Sequence, residues 1–172
     1  MKKILLTLSI GFSLILNANS ESYVDDSIKF ININVTDEES HAWGVCAASL
    51  KLISEIIEKA APAKSKQFSD YSNGAELAVT MSMVVSELTE DISPEKFERI
   101  WEFSKFLGDQ IPQTIRTTLL ADLESDKTEG SSVFLGNLGD TVAVCLDNLD
   151  GQQMYINVWR ELYKSGLLKS PE

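Results

Sequence analysis

The sequence contains a single histidine, His41, among 172 residues. Mechanisms that use a catalytic triad or a histidine dyad, and metal sites with two imidazole ligands, would all have to involve this residue. Glu38 stands three positions before it, which is the spacing found in di-iron helical bundles, but such a site needs the motif twice. We therefore expect His41 to be a surface residue in the first helical turns, with no metal bound.

The local signatures of common enzyme classes are missing as well. The sequence has no Gly-x-Ser-x-Gly, no Gly-x-x-x-x-Gly-Lys, no Cys-x-x-Cys-His and no His-Glu-x-x-His. These absences argue against serine hydrolysis, nucleotide binding, c-type haem attachment and zinc proteolysis in their usual forms. We predict that the protein is not an enzyme and has no cofactor. Catalysis by carboxylates that converge from distant positions stays open.

Lysine and arginine are scarce, with 15 of them against 26 aspartates and glutamates, and the net charge is -11. Nucleic acids and anionic membranes attract proteins through their phosphates, which need basic side chains as partners. The composition therefore predicts no nucleic-acid partner and favours a cationic protein partner. The alternative is that the negative charge only maintains solubility.

The long apolar run of this sequence lies at its amino terminus. Two lysines precede an uncharged run over residues 4–16, and Ala18 and Ser20 supply the small residues of a cleavage site. A transmembrane helix needs about 20 apolar residues, so this run is too short for a stable anchor. We predict a signal peptide over residues 1–20, export to the periplasm or the medium, and no stable membrane insertion after cleavage. Loss of the two lysines takes the net charge from -11 to -13.

The two cysteines, Cys46 and Cys145, lie 99 positions apart. An exported protein meets an oxidising compartment, where an even pair of cysteines most simply forms a disulfide. Neither cysteine belongs to a Cys-x-x-Cys redox motif, and a catalytic thiol would need a histidine partner. We predict that the two cysteines are bonded to each other.

The chain divides into an amino-terminal arm and one domain. Within residues 21–36 the apolar Ile31, Ile33 and Val35 alternate with Asn32 and Asn34 as in a strand, but the sequence shows no second strand to pair with them. We predict an extended arm over residues 21–36 and a single helical domain over residues 37–168. Thr36 and Glu39 have the spacing of a capping box, which predicts that the first helix begins there.

Apolar residues recur at intervals of three and four along most of the domain, which predicts amphipathic helices. The first predicted helix ends before Pro62, the second spans about 73–90, the third spans 93–108 and the fourth begins at Pro112. A long loop is predicted over 125–140. The last predicted helix starts near Val142, kinks at Gly151 and ends at Gly166. Both cysteines fall on apolar stripes. The fold class predicted is an all-α bundle of about five helices, with one disulfide joining the first and last helices, plus the extended N-terminal arm.

The third predicted helix carries more apolar surface than one buried stripe requires. Its apolar residues cover more than half of the helical circumference at about 100° per residue, and acidic residues border them. Either the helix is central and covered on both sides, or part of it is an exposed aromatic anchor for a cationic partner. For the second case the predicted binding residues are Glu98, Trp101, Glu102, Phe103, Phe106 and Asp109.

Two short segments carry a family resemblance. The motif Trp43-x-x-Cys46 near the start of the first helix, a helical middle and the late Cys145 resemble small periplasmic immunity proteins that neutralise type VI secretion amidase effectors. The resemblance implies an α-helical, disulfide-bonded inhibitor that plugs the catalytic cleft of a cell-wall amidase. No inhibitory residue is carried over from it.

We therefore expect a non-enzymatic exported helical protein that binds another protein. An immunity protein or inhibitor of a cell-wall-degrading effector is the most specific form of this hypothesis. The alternative is a periplasmic carrier that holds a small apolar ligand in a dry cavity lined by residues such as Met81, Trp101 and Trp159.

Overall fold

The computed structural model of the chain describes residues 21–89, 92–126 and 132–168, and these residues form helices and no strand. The elements are a short 3-10 turn, Phe30–Asn32, and the helices α1, Thr36–Ile57; α2, Pro62–Glu87; α3, Pro94–Asp126; α4, Ser132–Asp147; and α5, Leu149–Lys164. The predicted all-α fold with five helices is confirmed. The predicted signal peptide lies outside the described residues.

Helix α1 is the centre of the bundle. Every residue from Glu39 to Leu50 is buried except His41, which is exposed as predicted. The helix packs against α2 in a hairpin closed by residues 58–61, and it also contacts α3 and α4. A helix that is buried on all sides has neighbours all round it. The single apolar stripe predicted for α1 therefore describes only part of its packed surface.

The structure joins the predicted third and fourth helices into one. Helix α3 passes through Pro112, which lacks the N–H that would bond to the Gly108 carbonyl. A proline inside a helix costs about 3 kcal/mol, so the local sequence favours a stop there. Packing offsets this cost, because Ile111 fits against Gly44 of α1, where an added Cβ would lie 2.5 Å from Ile111 Cγ2. The predicted end at 108 and new start at Pro112 are wrong.

The other predicted boundaries also change. Helix α2 begins at Pro62, well before residue 73. The predicted loop over 125–140 is helical from Ser132 onward, because Phe134 and Leu138 pack into a cluster with apolar residues of α1 and α3. The predicted last helix divides into α4 and α5 at Asn148, and Gly151 lies inside α5. No helix in the described part of the chain is long and apolar enough to cross a bilayer.

The N-terminal arm is attached to the bundle by one buried aromatic ring. Phe30 is 1% exposed, and its ring meets the Trp43 ring edge-on at 5.0 Å between centroids. The Phe30 N–H donates to the Asn148 side-chain oxygen at 3.0 Å, and the Tyr23 N–H donates to the Thr141 hydroxyl at 2.9 Å. The break between α4 and α5 therefore supplies a hydrogen-bond acceptor for the arm.

Glu39 does not cap α1, so the predicted capping box is wrong. No side-chain hydrogen bond caps the start of the helix. Glu39 is instead 7% exposed, and its Oε1 atom accepts hydrogen bonds from Trp43 Nε1 at 3.2 Å and from the Tyr155 hydroxyl at 2.6 Å. Burial raises the pKa of the Tyr155 phenol, and the hydrogen bond to the Glu39 carboxylate raises it further. This buried carboxylate links α1 to α5.

The predicted disulfide is confirmed. Cys46 of α1 and Cys145 of α4 are bonded, with their Cα atoms 5.5 Å apart, and both are buried. Because the predicted last helix is divided, the second cysteine lies on the first of its two parts. The bond ties the central helix to the carboxyl-terminal part of the bundle.

Replacing both cysteines with alanine removes a link that closes a loop of about 100 residues in the unfolded chain. We expect Cys46→Ala/Cys145→Ala to lower the free energy of unfolding by about 4 kcal/mol in non-reducing urea denaturation. Wild type treated with a reductant should match the variant. Equal stability of the variant and the oxidised wild type would contradict a structural role for the bond.

Replacing Tyr155 with phenylalanine removes one of the two donors that satisfy the Glu39 carboxylate. We expect a loss of about 1 to 3 kcal/mol in the free energy of unfolding at pH 7, because a buried carboxylate oxygen loses a hydrogen bond. Tyr163→Phe, at an exposed tyrosine of the same helix, is the matched control and should change stability by less than about 0.5 kcal/mol. Similar losses in both variants would show that the buried contact is unimportant.

Candidate partner-binding surface on helix α3

Helix α3 has one buried side and one outward side. Phe97 and Ser104 are buried against the bundle, while Ile100 and Trp101 are half-buried. Phe103 and Phe106 point away from the core and are 64% and 60% exposed, the largest exposed fractions among the large apolar side chains of the described residues. The helix is thus neither fully covered nor fully exposed. We call Phe103 and Phe106 the phenylalanine pair.

The structure divides the six predicted binding residues between two neighbouring surfaces. Glu98 and Glu102 are exposed on the outward side, and Glu102 lies one helical turn before Phe106. Trp101 and Asp109 line a groove on the flank of α3 that lies away from Phe103. Arg99 lies one turn before Phe103, so acidic side chains border the phenylalanine pair on one side only.

A cleft of about 570 Å³ lies beside Phe103, on one flank of α3. Its walls come from the start of α1, the end of α2 and α3, with His41, Met83 and Leu107 among the lining residues. Sequence reasoning missed this cleft because its residues come from three distant segments. The position of His41 follows from its place in α1, but its neighbours depend on how the helices cross.

The groove on the other flank of α3 has a volume of about 350 Å³, and we call it the tryptophan groove. It is lined by Asn73, Glu76, Leu77 and Thr80 of α2, by Trp101, Lys105 and Asp109 of α3, and by Trp159 of α5. Helices α2 and α3 approach closely here. Gly108 permits this approach, since an added Cβ at this position would clash with the Thr80 hydroxyl. Sequence reasoning found Trp101 and Asp109 but placed them on the same surface as the phenylalanine pair.

The tryptophan groove holds two carboxylates without an ion-pair partner. Neither Glu76 nor Asp109 forms an ion pair with a described residue. Partial burial raises the pKa of Glu76, the nearby Asp109 carboxylate raises it further, and Lys51 opposes both effects. The groove is therefore lined by two carboxylates and one lysine, Lys105, with no ion pair between them.

Of the three residues expected to line a carrier cavity, the structure brings two together in one recess. Met81 is fully buried in the core, whereas Trp101 and Trp159 line the charged tryptophan groove. Within the described ranges, no three histidine, cysteine, aspartate or glutamate side chains are grouped so that they could hold a metal ion.

Known proteins give no guide to this site. Comparison found no matching family model, no similar curated protein and no similar solved structure.

Glu76 provides a test of the electrostatics of the groove. Its carboxylate has a raised pKa, so its charge destabilises the fold above that pKa, and this cost disappears as the pH falls and the group is protonated. We expect Glu76→Gln to stabilise the protein at pH 7 by about 0.5 kcal/mol, a small value because the group is partly exposed and screened by solvent.

The difference between Glu76→Gln and wild type should shrink as the pH is lowered towards 4 in urea denaturation. Glu102→Gln removes the same charge at an exposed position of α3 and is the control. A destabilised Glu76→Gln protein at pH 7 would show that the carboxylate has a favourable partner.

Proposed function

We propose that this chain is an exported, non-enzymatic protein that binds a cationic protein through the outward side of α3. The observation that carries the proposal is the exposure of the phenylalanine pair. Two large aromatic side chains one helical turn apart lie on the same side of the helix, and large apolar side chains are costly to leave in water. Exposed aromatic clusters of this kind are typical of the central anchors of protein interfaces.

Charge supports a cationic partner. The chain has a net charge of -11, and Glu98 and Glu102 are exposed beside the phenylalanine pair. Complementary charge at the border of an interface accelerates encounter and excludes like-charged partners. The partner we propose is therefore a basic protein with an apolar recess for the two rings.

Export is supported by two independent features. The amino-terminal sequence has the pattern of a signal peptide, and the Cys46–Cys145 bond is typical of an oxidising compartment. We propose that the protein acts in the periplasm or outside the cell, where its partner must also be present.

The most specific form of the proposal is an immunity protein or inhibitor of a cell-wall-degrading effector. The support is the resemblance carried by Trp43, Cys46 and Cys145, all of which are buried in this structure. These residues belong to the scaffold and cannot contact a partner. If the inhibitor form holds, the inhibitory contacts come from α3, with an aromatic side chain filling the cleft of the effector.

Affinity capture with the immobilised mature chain tests the proposal. We expect a basic protein to be retained from an envelope extract of the same organism and released by salt, because charge contributes to the contact. Phe103→Ala/Phe106→Ala should weaken binding of the purified partner by at least about tenfold. Isothermal titration calorimetry measures the affinity of each variant.

The control is Ile56→Ala/Leu135→Ala, which truncates two exposed apolar side chains on α1 and α4. It should bind as wild type does. Equal binding by the phenylalanine variant, recovery of only a lipid or metabolite, or substrate turnover by the purified chain would each overturn the proposal.

A further inference from the structure

The tryptophan groove combines two aromatic rings with two carboxylates that form no ion pair with a described residue. Trp101 and Trp159 come from α3 and α5, and Glu76 and Asp109 come from α2 and α3. Four side chains from three helices therefore converge on one recess. Both kinds of group attract cations, the indole ring through its negative face and the carboxylate through its charge.

Two lysines lie near the acids of the groove. Lys51 acts on Glu76, and Lys105 lines the groove. Neither lysine forms an ion pair with Glu76 or Asp109. Lys105 precedes Asp109 by four residues, which is the less favourable order for a helical ion pair. Partial burial and the nearby Asp109 carboxylate both disfavour the charged form of Glu76, so a cation from outside that entered the groove would favour it.

The rings are well suited to hold such a cation. The Trp159 ring stacks on Tyr163, with 6.1 Å between centroids and 22° between planes, which restricts its orientation. The groove volume of about 350 Å³ is at the small end of ligand sites, so it fits the end of one side chain. A flat cation that can stack on indole and pair with carboxylates matches these features, and the guanidinium group of arginine does both.

We propose that the tryptophan groove accepts an arginine side chain of the partner protein. The guanidinium group stacks against Trp101 and Trp159 and pairs with Glu76 and Asp109. This inference rests on the proposed function, because it identifies a second contact for the same cationic protein.

The groove and the phenylalanine pair can engage one partner. Trp101 and Asp109 lie on one flank of α3, and Phe103 borders the cleft on the other flank. A helix with its side chains is about 10 to 12 Å across, well within the width of an ordinary protein interface. The partner would straddle α3, with its arginine in the groove and an apolar surface on the phenylalanine pair.

A capped Gly-Arg-Gly peptide tests the groove without knowledge of the partner. The chain has three tryptophans, and Trp43 is buried beside Phe30, so Trp101 and Trp159 provide the fluorescence response to added ligand. We expect a saturable change with the arginine peptide and none with the citrulline peptide, which has the same shape but no charge. The lysine peptide should bind more weakly.

Variants connect the signal to the two carboxylates. Glu76→Gln/Asp109→Asn should weaken binding of the arginine peptide by about tenfold, because two charge contacts are lost. Asp122→Asn removes a charge from an exposed position of α3 outside the groove and should bind as wild type does. Urea denaturation of each variant separates a binding defect from a folding defect, because Glu76→Gln is expected to be no less stable than wild type.

The inference is overturned if citrulline gives the same response as arginine, or if the double variant binds the arginine peptide as wild type does. It is also overturned if lysine binds as tightly as arginine. These outcomes differ from a failure of the proposed function. If a protein is captured through the phenylalanine pair but the arginine peptide gives no response, only the arginine site is disproved. If the arginine peptide gives a response but no protein is captured, the proposed function is disproved.

Discussion

Burial of residues 39–50 of α1, all except His41, is the constraint on which the rest of the molecule depends. The helix needs neighbours all round it, so α2, α3 and α4 pack on it directly, and the arm covers Trp43 with Phe30. Its small residues permit close approach, and Gly44 receives Ile111 of α3. The Glu39 carboxylate is part of the same buried surface, where Trp43 and Tyr155 satisfy it. The disulfide then fixes α1 to α4 from inside this core.

The same constraint shapes the surface that we propose to be functional. Helix α3 is 33 residues long and contacts both α1 and α2, yet only one side of it can be buried there. Its outward side carries Phe103 and Phe106, with a cleft on one flank and the tryptophan groove on the other. A rigid helix that projects between two recesses presents side chains with little loss of entropy on binding.

Glu39 and Glu76 are two carboxylates removed from solvent to different degrees, and their surroundings differ. Glu39 is enclosed and accepts two hydrogen bonds, so its carboxylate contributes to the architecture of the core. Glu76 is half-buried near Asp109 and has no ion-pair partner among the described residues. The first carboxylate is satisfied by hydrogen bonds within the fold, whereas burial disfavours the charged form of the second. This difference is why we propose the groove, and not the core carboxylate, as a place for a cation.

The local pattern of the sequence was sufficient for the helical class and the disulfide, because helical periodicity and cysteine count act without knowledge of distant neighbours. The number of helices agrees, although two predicted helices form α3 and the predicted last helix is divided into α4 and α5. The local pattern did not determine where helices end. Pro112 does not stop α3, and the capping-box residue Glu39 turns inward, because packing against α1 and α5 outweighs local preference. The tryptophan groove and the cleft beside Phe103 were decided only by tertiary structure, since each joins side chains from three helices that are brought together when the bundle closes around α1.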